Sequence, residues 1–204
     1  MTTELWIATG NPNKRVELDR ILRTLGYKLR LQSEAPSEIH VIEDQPDFAG
    51  NAAKKALALA NLVAAPTVAD DSGLSVDALD GRPGVHSARY AGEDANDKDR
   101  IAKLLTELGD TQQADRTARF TCSICLAGAD GQVLACFEET CDGIIRNAPK
   151  GELGFGYDPI FIPLEFLHLD TTFAELSPEQ KDTISHRGKA LRALKDWLRL
   201  NTIQ

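Results

Sequence analysis

The chain predicts an α/β protein, a mixed sheet flanked by helices, as one unit or as two lobes with a cleft between them. Three observations carry this. Short apolar runs of strand length alternate with segments whose apolar residues recur at i, i+3, i+4 and i+7, the spacing of a helix with one buried face. The middle of the chain holds two adjoining strand-like runs joined by a Gly-containing turn, which adds a hairpin to strands otherwise separated by helices. The 204 residues are 42% hydrophobic and 26% charged, the make-up of a globular chain able to bury a large core.

Each element has its own signal. Residues 5–8 form a short apolar strand, and the polar turn TGNPNK leads into a helix with Leu18, Ile21, Leu22 and Leu25 on one face. Gly26 ends that helix. Leu29 and Leu31 begin a second strand, and Ile39, Val41 and Ile42 alternate like part of an edge strand. Residues 52–63 read as an Ala-rich helix with Ala53, Ala56, Leu57 and Ala60 on one face, and Pro66 breaks the pattern before a strand at 67–69. Ile101, Leu104, Leu105 and Leu108 mark another amphipathic helix closed by Gly109. Residues 118–127 and 133–141 are strands around a hairpin turn at 128–131, and 143–145 continue the sheet. Ser177, Pro178 and Gln180 supply N-cap, N1 and N3 of a helix, and a last helix buries Ala190, Leu191, Leu194, Trp197 and Leu198. Without repeats or linkers, residues 1–204 are expected to form a single domain.

Charge narrows the function. A net charge of −8 argues against a general nucleic-acid binder, though local Lys and Arg residues can still hold phosphates. The apolar runs are far shorter than a membrane span, and MTTELWIATG enters a strand without a basic leader, so a cytoplasmic protein is expected. Cys122 and Cys125 form a C-x-x-C on a strand, where residues three apart face opposite ways. That spacing suits neither a zinc knuckle nor a simple disulfide, and all four cysteines are expected as small buried thiols.

Residues 68–87, VADDSGLSVDALDGRPGVHS, hold four aspartates among apolar residues spaced like those of buried strands. Val68 and Ala69 read as a strand end, Asp70, Asp71 and Ser72 as its edge, and Gly73 as a tight turn. Adjacent carboxylates repel, and a hard divalent ion with oxygen ligands, Mg2+ foremost, relieves them. The turn Thr9, Gly10, Asn11, Pro12, Asn13, Lys14 aims backbone N–H groups, a helix N-terminus and a lysine at an anion, without the spacing of a Walker loop. In GELGFGYDP, three glycines surround two aromatics, and Phe155 or Tyr157 can stack on a nucleobase. Lys181 and the run Ser185, His186, Arg187, Gly188, Lys189 add polar donors. His40, His86 and His168 have no partner at metal-ligand spacing. The inventory fits phosphoryl chemistry on a nucleotide.

These motifs, ATGNPNK, ADDSGLSVDALDGRPGVHSARYAG, GFGYDPIF and SHRGKAL, in this order and nearly end to end, closely resemble the inosine triphosphate pyrophosphatase family, the dITP/XTP pyrophosphatases. The resemblance implies hydrolysis of ITP, dITP and XTP to the monophosphate and pyrophosphate, an elongated twisted mixed sheet with two lobes around a central cleft, and a homodimer. For the dimer surface, residues 85–90 and 118–141 are plausible places. It implies that Thr9, Gly10, Asn11, Pro12, Asn13 and Lys14 bind the phosphate chain. Asp71 would be the proton acceptor and a metal contact, and Ser72 would touch substrate. Phe155, Gly156, Tyr157 and Asp158 would line the nucleoside pocket, while Lys181, His186 and Arg187 hydrogen-bond a 6-oxo purine, whose O6 accepts where adenine donates. One Mg2+ per subunit would rest on Glu43 and Asp71, with Asp70 in support and Asp44 as substitute for Glu43. Gly50 stands where the family places a second glutamate. Two other readings stay open: a pyrophosphatase for pyrimidine or other modified nucleotides, and a nucleotide-binding module that does not hydrolyse.

Overall fold

The computed structural model describes residues 4–112 and 115–203. Its elements run β1 (Glu4–Ile7), α1 (Pro12–Leu22), β2 (Lys28–Leu31), α2 (Phe48–Val63), β3 (Thr67–Val76), α3 (Asp97–Leu108), β4 (Thr117–Ala127), β5 (Val133–Ile145), β6 (Phe161–Pro163), α4 (Pro178–Ile184) and α5 (His186–Leu200), joined in part by 3-10 turns. The strands form one sheet in the order β2-β1-β3-β4-β5-β6. β1 is parallel to both β2 and β3, whereas β5 and β6 are antiparallel, so the sheet is mixed.

The chain divides into two compact units. The first takes the chain up to Asp71, then Cys122–Glu139, then Arg187 onward; the second takes Ser72–Thr121 and Thr140–His186. In the first unit, strand alternation decides which helix each residue meets. Leu5, Ile7 and Val68 pack with Leu18 and Leu22 of α1 and with Leu191 and Leu194 of α5. Trp6, Ala8 and Ala69 point the other way, onto Ala56, Leu59 and Ala60 of α2. The small α2 side chains let that helix lie close to the sheet. The second unit gathers Leu74, Val76, Ile101, Leu104 and Leu108 around an aromatic cluster. There the Phe120 ring lies 4.7 Å from Phe161, and Phe161 lies 5.0 Å from Phe173.

Local chemistry sets several boundaries. Asp47 caps α2 by accepting the Gly50 N–H at 2.7 Å, so the helix begins before its apolar pattern does. Its fully buried apolar residues are Ala52, Ala56, Leu59 and Ala60, a stripe rotated from the expected one. Gly26, at φ +78°, closes the 3-10 turn after α1, and Ser177 with Gln180 forms the expected capping box of α4.

Three expectations are corrected. No strand forms at 39–42: Ile42 is largely exposed and the segment pairs with no neighbour in the sheet. β3 does not stop at Ala69 or turn at Gly73; it runs unbroken to Val76, so both aspartates lie inside a strand. Of the cysteines, Cys122 and Cys141 are buried thiols, but Cys125 and Cys136 form a disulfide, their Cα atoms 4.2 Å apart on β4 and β5. Partners on facing strands are not visible from spacing along one strand, which is why the C-x-x-C concealed this pair.

The β5–β6 pairing depends on Gly143, opposite Pro163. A Cβ there would come within 2.5 Å of the Phe161 ring and closer still to the Ile162 carbonyl oxygen. Gly143→Ala is expected to destabilise the fold by about 2 kcal/mol, read as a lower urea midpoint.

Candidate functional site

Because β3 is a strand, its two adjacent carboxylates point to opposite faces. Asp70 follows Val68 toward α1 and α5, and Asp71 follows Ala69 toward α2. The expected joint metal site on Asp70 and Asp71 is therefore replaced by two separate groups, both in the first unit.

Asp70 is buried between cations. Its Oδ2 lies 3.0 Å from Lys14 Nζ and 3.2 Å from Arg187 Nε, and the Arg187 guanidinium also reaches Glu17 of α1. Burial opposes the Asp70 charge, but Lys14, Arg187 and Lys55 outweigh it and hold the carboxyl well below the usual range. Burial likewise opposes the Arg187 charge, and Glu17 and Asp70 reverse the balance and raise its pKa. Burial pushes the nearby Cys122 thiol up to about 12, so it stays protonated. This group binds the first turn of α1 to β3 and α5. That turn is itself capped: Asn11 Oδ1 accepts the N–H groups of Asn13 and Lys14, and Thr9 Oγ1 accepts that of Asn11. The expected cradle of bare amides is thus already occupied by short polar side chains, and the Lys14 ammonium is paired with Asp70.

Asp71 has different company. Lys55 of α2 places its Nζ 3.2 Å from Asp71 Oδ1 and 2.6 Å from Glu43 Oε1. Asn51, one turn earlier on α2 and fully buried, donates to Asp71 Oδ2 at 3.2 Å and accepts the Gln45 N–H at 3.0 Å. Its amide therefore ties the segment carrying Glu43 to the strand carrying Asp71. Gly50 allows this segment to close, since a Cβ there would stand 2.8 Å from Gln45 Cβ. Burial raises the Asp71 pKa; Lys55 and Lys14 oppose the rise, and Glu43 and Asp70 add to it. For Lys55, burial lowers the pKa but Asp71, Asp70 and Glu43 prevail and raise it.

Glu43 and Asp71 thus offer hard oxygens around one point of positive charge, held here by the Lys55 ammonium. That donor set fits a partly hydrated Mg2+, which takes one or two protein carboxylates and fills its shell with water and phosphate oxygens. Among the described residues no group of three or more His, Cys, Asp or Glu converges as a metal cage. Asp44 lies outside this group, its carboxyl lowered by hydrogen bonds from Lys54 and Gln45. Sequence reasoning missed Lys55 and Asn51. Their signal was two polar residues at i, i+4 inside an Ala-rich helix.

The second unit holds the aromatic group. Asp158 is buried, and its Oδ2 accepts the Phe155 N–H at 2.8 Å and the Lys181 ammonium at 2.6 Å. Lys181 Nζ lies 4.9 Å from the Phe155 ring centroid, a cation–π contact that covers part of the ring's surroundings. Tyr157 is buried with its hydroxyl on the Ser87 carbonyl, and burial raises its pKa. It is therefore a core residue, and Phe155, half-buried, is the ring able to stack. His186 lies flat on Phe120 at 4.7 Å with an interplanar angle of 6°. Ser72 opens the second unit's share of β3 and is partly exposed. Arg187, the next residue after His186, belongs to the Asp70 group of the first unit. His40, His86 and His168 are exposed.

The mixed α/β fold holds two buried aspartates, each beside cationic side chains, in its first unit and a Gly-rich aromatic loop in its second. The sequence model of the Ham1 family matches residues 5–197, and the chain belongs to that family. It is 49% identical over 193 residues to a protein of Geobacillus kaustophilus named dITP/XTP pyrophosphatase, covering 95% of this chain and 93% of that one. Among solved structures, the Ham1 protein of Staphylococcus aureus is 41% identical with a TM-score of 0.86, covering 98% of this chain and 100% of that one. A HAM1 protein from Coxiella burnetii is 38% identical with a TM-score of 0.87 and the same coverage.

Asp70→Asn leaves the buried Arg187 and the partly buried Lys14 without one of their countercharges, and is expected to cost about 3 kcal/mol in urea denaturation at pH 7. The folded-state pKa of Asp70 is depressed, so its contribution is complete above the unfolded value and is lost as pH falls through the folded one. The difference between wild type and variant should stay flat from pH 8 to 5 and shrink only on strong acidification.

Proposed function

We propose that this protein hydrolyses non-standard purine nucleoside triphosphates, ITP, dITP and XTP, to the monophosphate and pyrophosphate, and so cleanses the nucleotide pool. The observation that carries the reading is Asp71, a buried carboxylate of raised proton affinity between Lys55, Asn51 and Glu43. The names of the similar proteins support the same substrate class.

In this reading water attacks the α-phosphorus. Asp71 accepts its proton, the bond from the α-phosphorus to the bridging oxygen breaks, and pyrophosphate departs with that electron pair. Burial raises the proton affinity of Asp71, which favours proton transfer to it, and Asn51 holds its Oδ2 while Lys55 meets its Oδ1. Lys14 and Lys55 offset charge on the phosphates. Glu43 and Asp71 would hold Mg2+, which would supply further neutralisation of the phosphate charge. Thr9 to Lys14 and Ser72 are assigned to substrate. On the base side, Phe155 stacks, Gly156 and Tyr157 shape the loop, and Asp158 orients Lys181. Lys181 donates to a 6-oxo group, with His186 and Arg187 as further donors to the base. A homodimer in the cytoplasm completes the reading; among the described residues no helix is long and apolar enough to cross a membrane.

Asp71→Asn is expected to lower kcat at least a hundredfold, with nucleotide affinity within about threefold of wild type. Phosphate products from ITP, XTP, GTP, ATP and dTTP check the class: pyrophosphate from ITP and XTP, with GTP and ATP largely spared, is expected. Orthophosphate plus a diphosphate would exclude the proposed step. A preference for dTTP would favour a pyrimidine enzyme, and binding without product a non-hydrolysing module.

Lys14→Ala should weaken triphosphate binding about tenfold or more while monophosphate binding falls much less. Isothermal titration with ITP and IMP measures both, and equal losses would contradict the role.

A further inference from the structure

The Gly-rich loop at 151–158 contains three glycines of positive φ, and their surroundings differ. A Cβ on Gly151 would meet the Ala174 carbonyl, and one on Gly154 would meet Asp158 Oδ2, so both are packed against protein. Gly156, at φ +63°, has nothing within 4 Å on that side. Beside the ring able to stack, Gly156 therefore presents open space.

Backbone amides anchor this loop. Leu153 N–H donates to the Ala174 carbonyl at 2.9 Å, and Phe155 N–H to Asp158 Oδ2 at 2.8 Å. Gly156 N–H donates to Asp97 Oδ2 at 2.7 Å, across 59 residues of sequence and within the same unit. Asp97 is the first residue of α3, where a helix N-terminus favours a carboxylate. Its other oxygen accepts from Arg100 Nη1, and Arg100 Nη2 is in turn fixed on the Ala95 carbonyl. The carboxylate is thus held from both sides. Asp158 and Tyr157 are buried and belong to the core, so their removal would confuse folding with binding. Asp97 is the loop's half-exposed clamp.

We propose that Asp97 is a positioning residue for nucleobase binding: its carboxylate, preset by Arg100, holds Gly156 and with it the Phe155 ring in the conformation that receives a flat purine base. This rests on the reading of the loop as the base-binding element. A charge-assisted hydrogen bond to a backbone amide, partly exposed, corresponds to about a tenfold effect on binding.

The test compares Asp97→Ala, Asp97→Asn and Asp99→Ala. Asp99 completes the capping box at the same helix start by accepting the Asn96 N–H, so it controls for fraying of α3. Steady-state kinetics with ITP, thermal unfolding, and hydrogen exchange at the Gly156 amide are measured for each. Asp97→Ala is expected to raise KM about tenfold with kcat within about twofold, and to speed Gly156 exchange. Asp97→Asn, whose amide oxygen still accepts, should recover most of both. Asp99→Ala should lower the Tm without moving KM. An unchanged KM in Asp97→Ala, or an equal rise in Asp99→Ala, would overturn the proposal while wild-type turnover upholds the loop's reading. A wild type that binds no purine nucleotide would overturn the reading itself, and the positioning role with it.

Discussion

The alternation of side chains along β3 is the constraint on which the first unit's chemistry depends. Two neighbouring aspartates in a loop could turn toward one cation. In a strand they cannot, and the sheet sends them to opposite faces. Asp70 then meets Lys14 and Arg187, and Asp71 meets Asn51 and Lys55. The two environments shift their proton affinities in opposite directions, one held ionised by flanking cations, the other raised by burial. A pair of identical residues thereby meets two different environments.

The same sheet explains the helices. Ala-rich α2 can approach closely enough to bring Lys55 under Asp71, because Ala56 and Ala60 replace the bulk that Leu18 and Leu22 supply on the opposite face. Glu43 reaches this point from a segment with no regular structure of its own. Asn51 fixes it by using both ends of one buried amide, and the bare Cα of Gly50 leaves room. Gly50 thus has a packing role in this chain.

Much of the fold was legible from periodicity. Leu18 and Leu22, Ile101 and Leu104, and Leu191 and Leu194 mark their helices because one buried face repeats at helical spacing, and Ser177 with Gln180 marks a cap by hydrogen-bond chemistry alone. The failures have physical causes too. Ile39, Val41 and Ile42 alternate, but alternation gives no strand without a partner. The polarity of Asp70, Asp71 and Ser72 imitates a strand end, because sequence does not display the buried cations that let β3 continue. Residues joined only in space were equally hidden: Cys125 with Cys136, Lys55 with Glu43, and Asp97 with Gly156. Tyr157 and Phe155 look alike in GFGYDP, and only burial separates the core ring from the one able to stack.

In the proposed reaction a water molecule activated by Asp71 attacks the α-phosphorus of a purine nucleoside triphosphate. Hydrolysis of ITP in 18O-labelled water, followed by mass spectrometry of both products, tests this directly. The account predicts one labelled oxygen in IMP and none in pyrophosphate. Label in the pyrophosphate would place the attack at the β-phosphorus and contradict it.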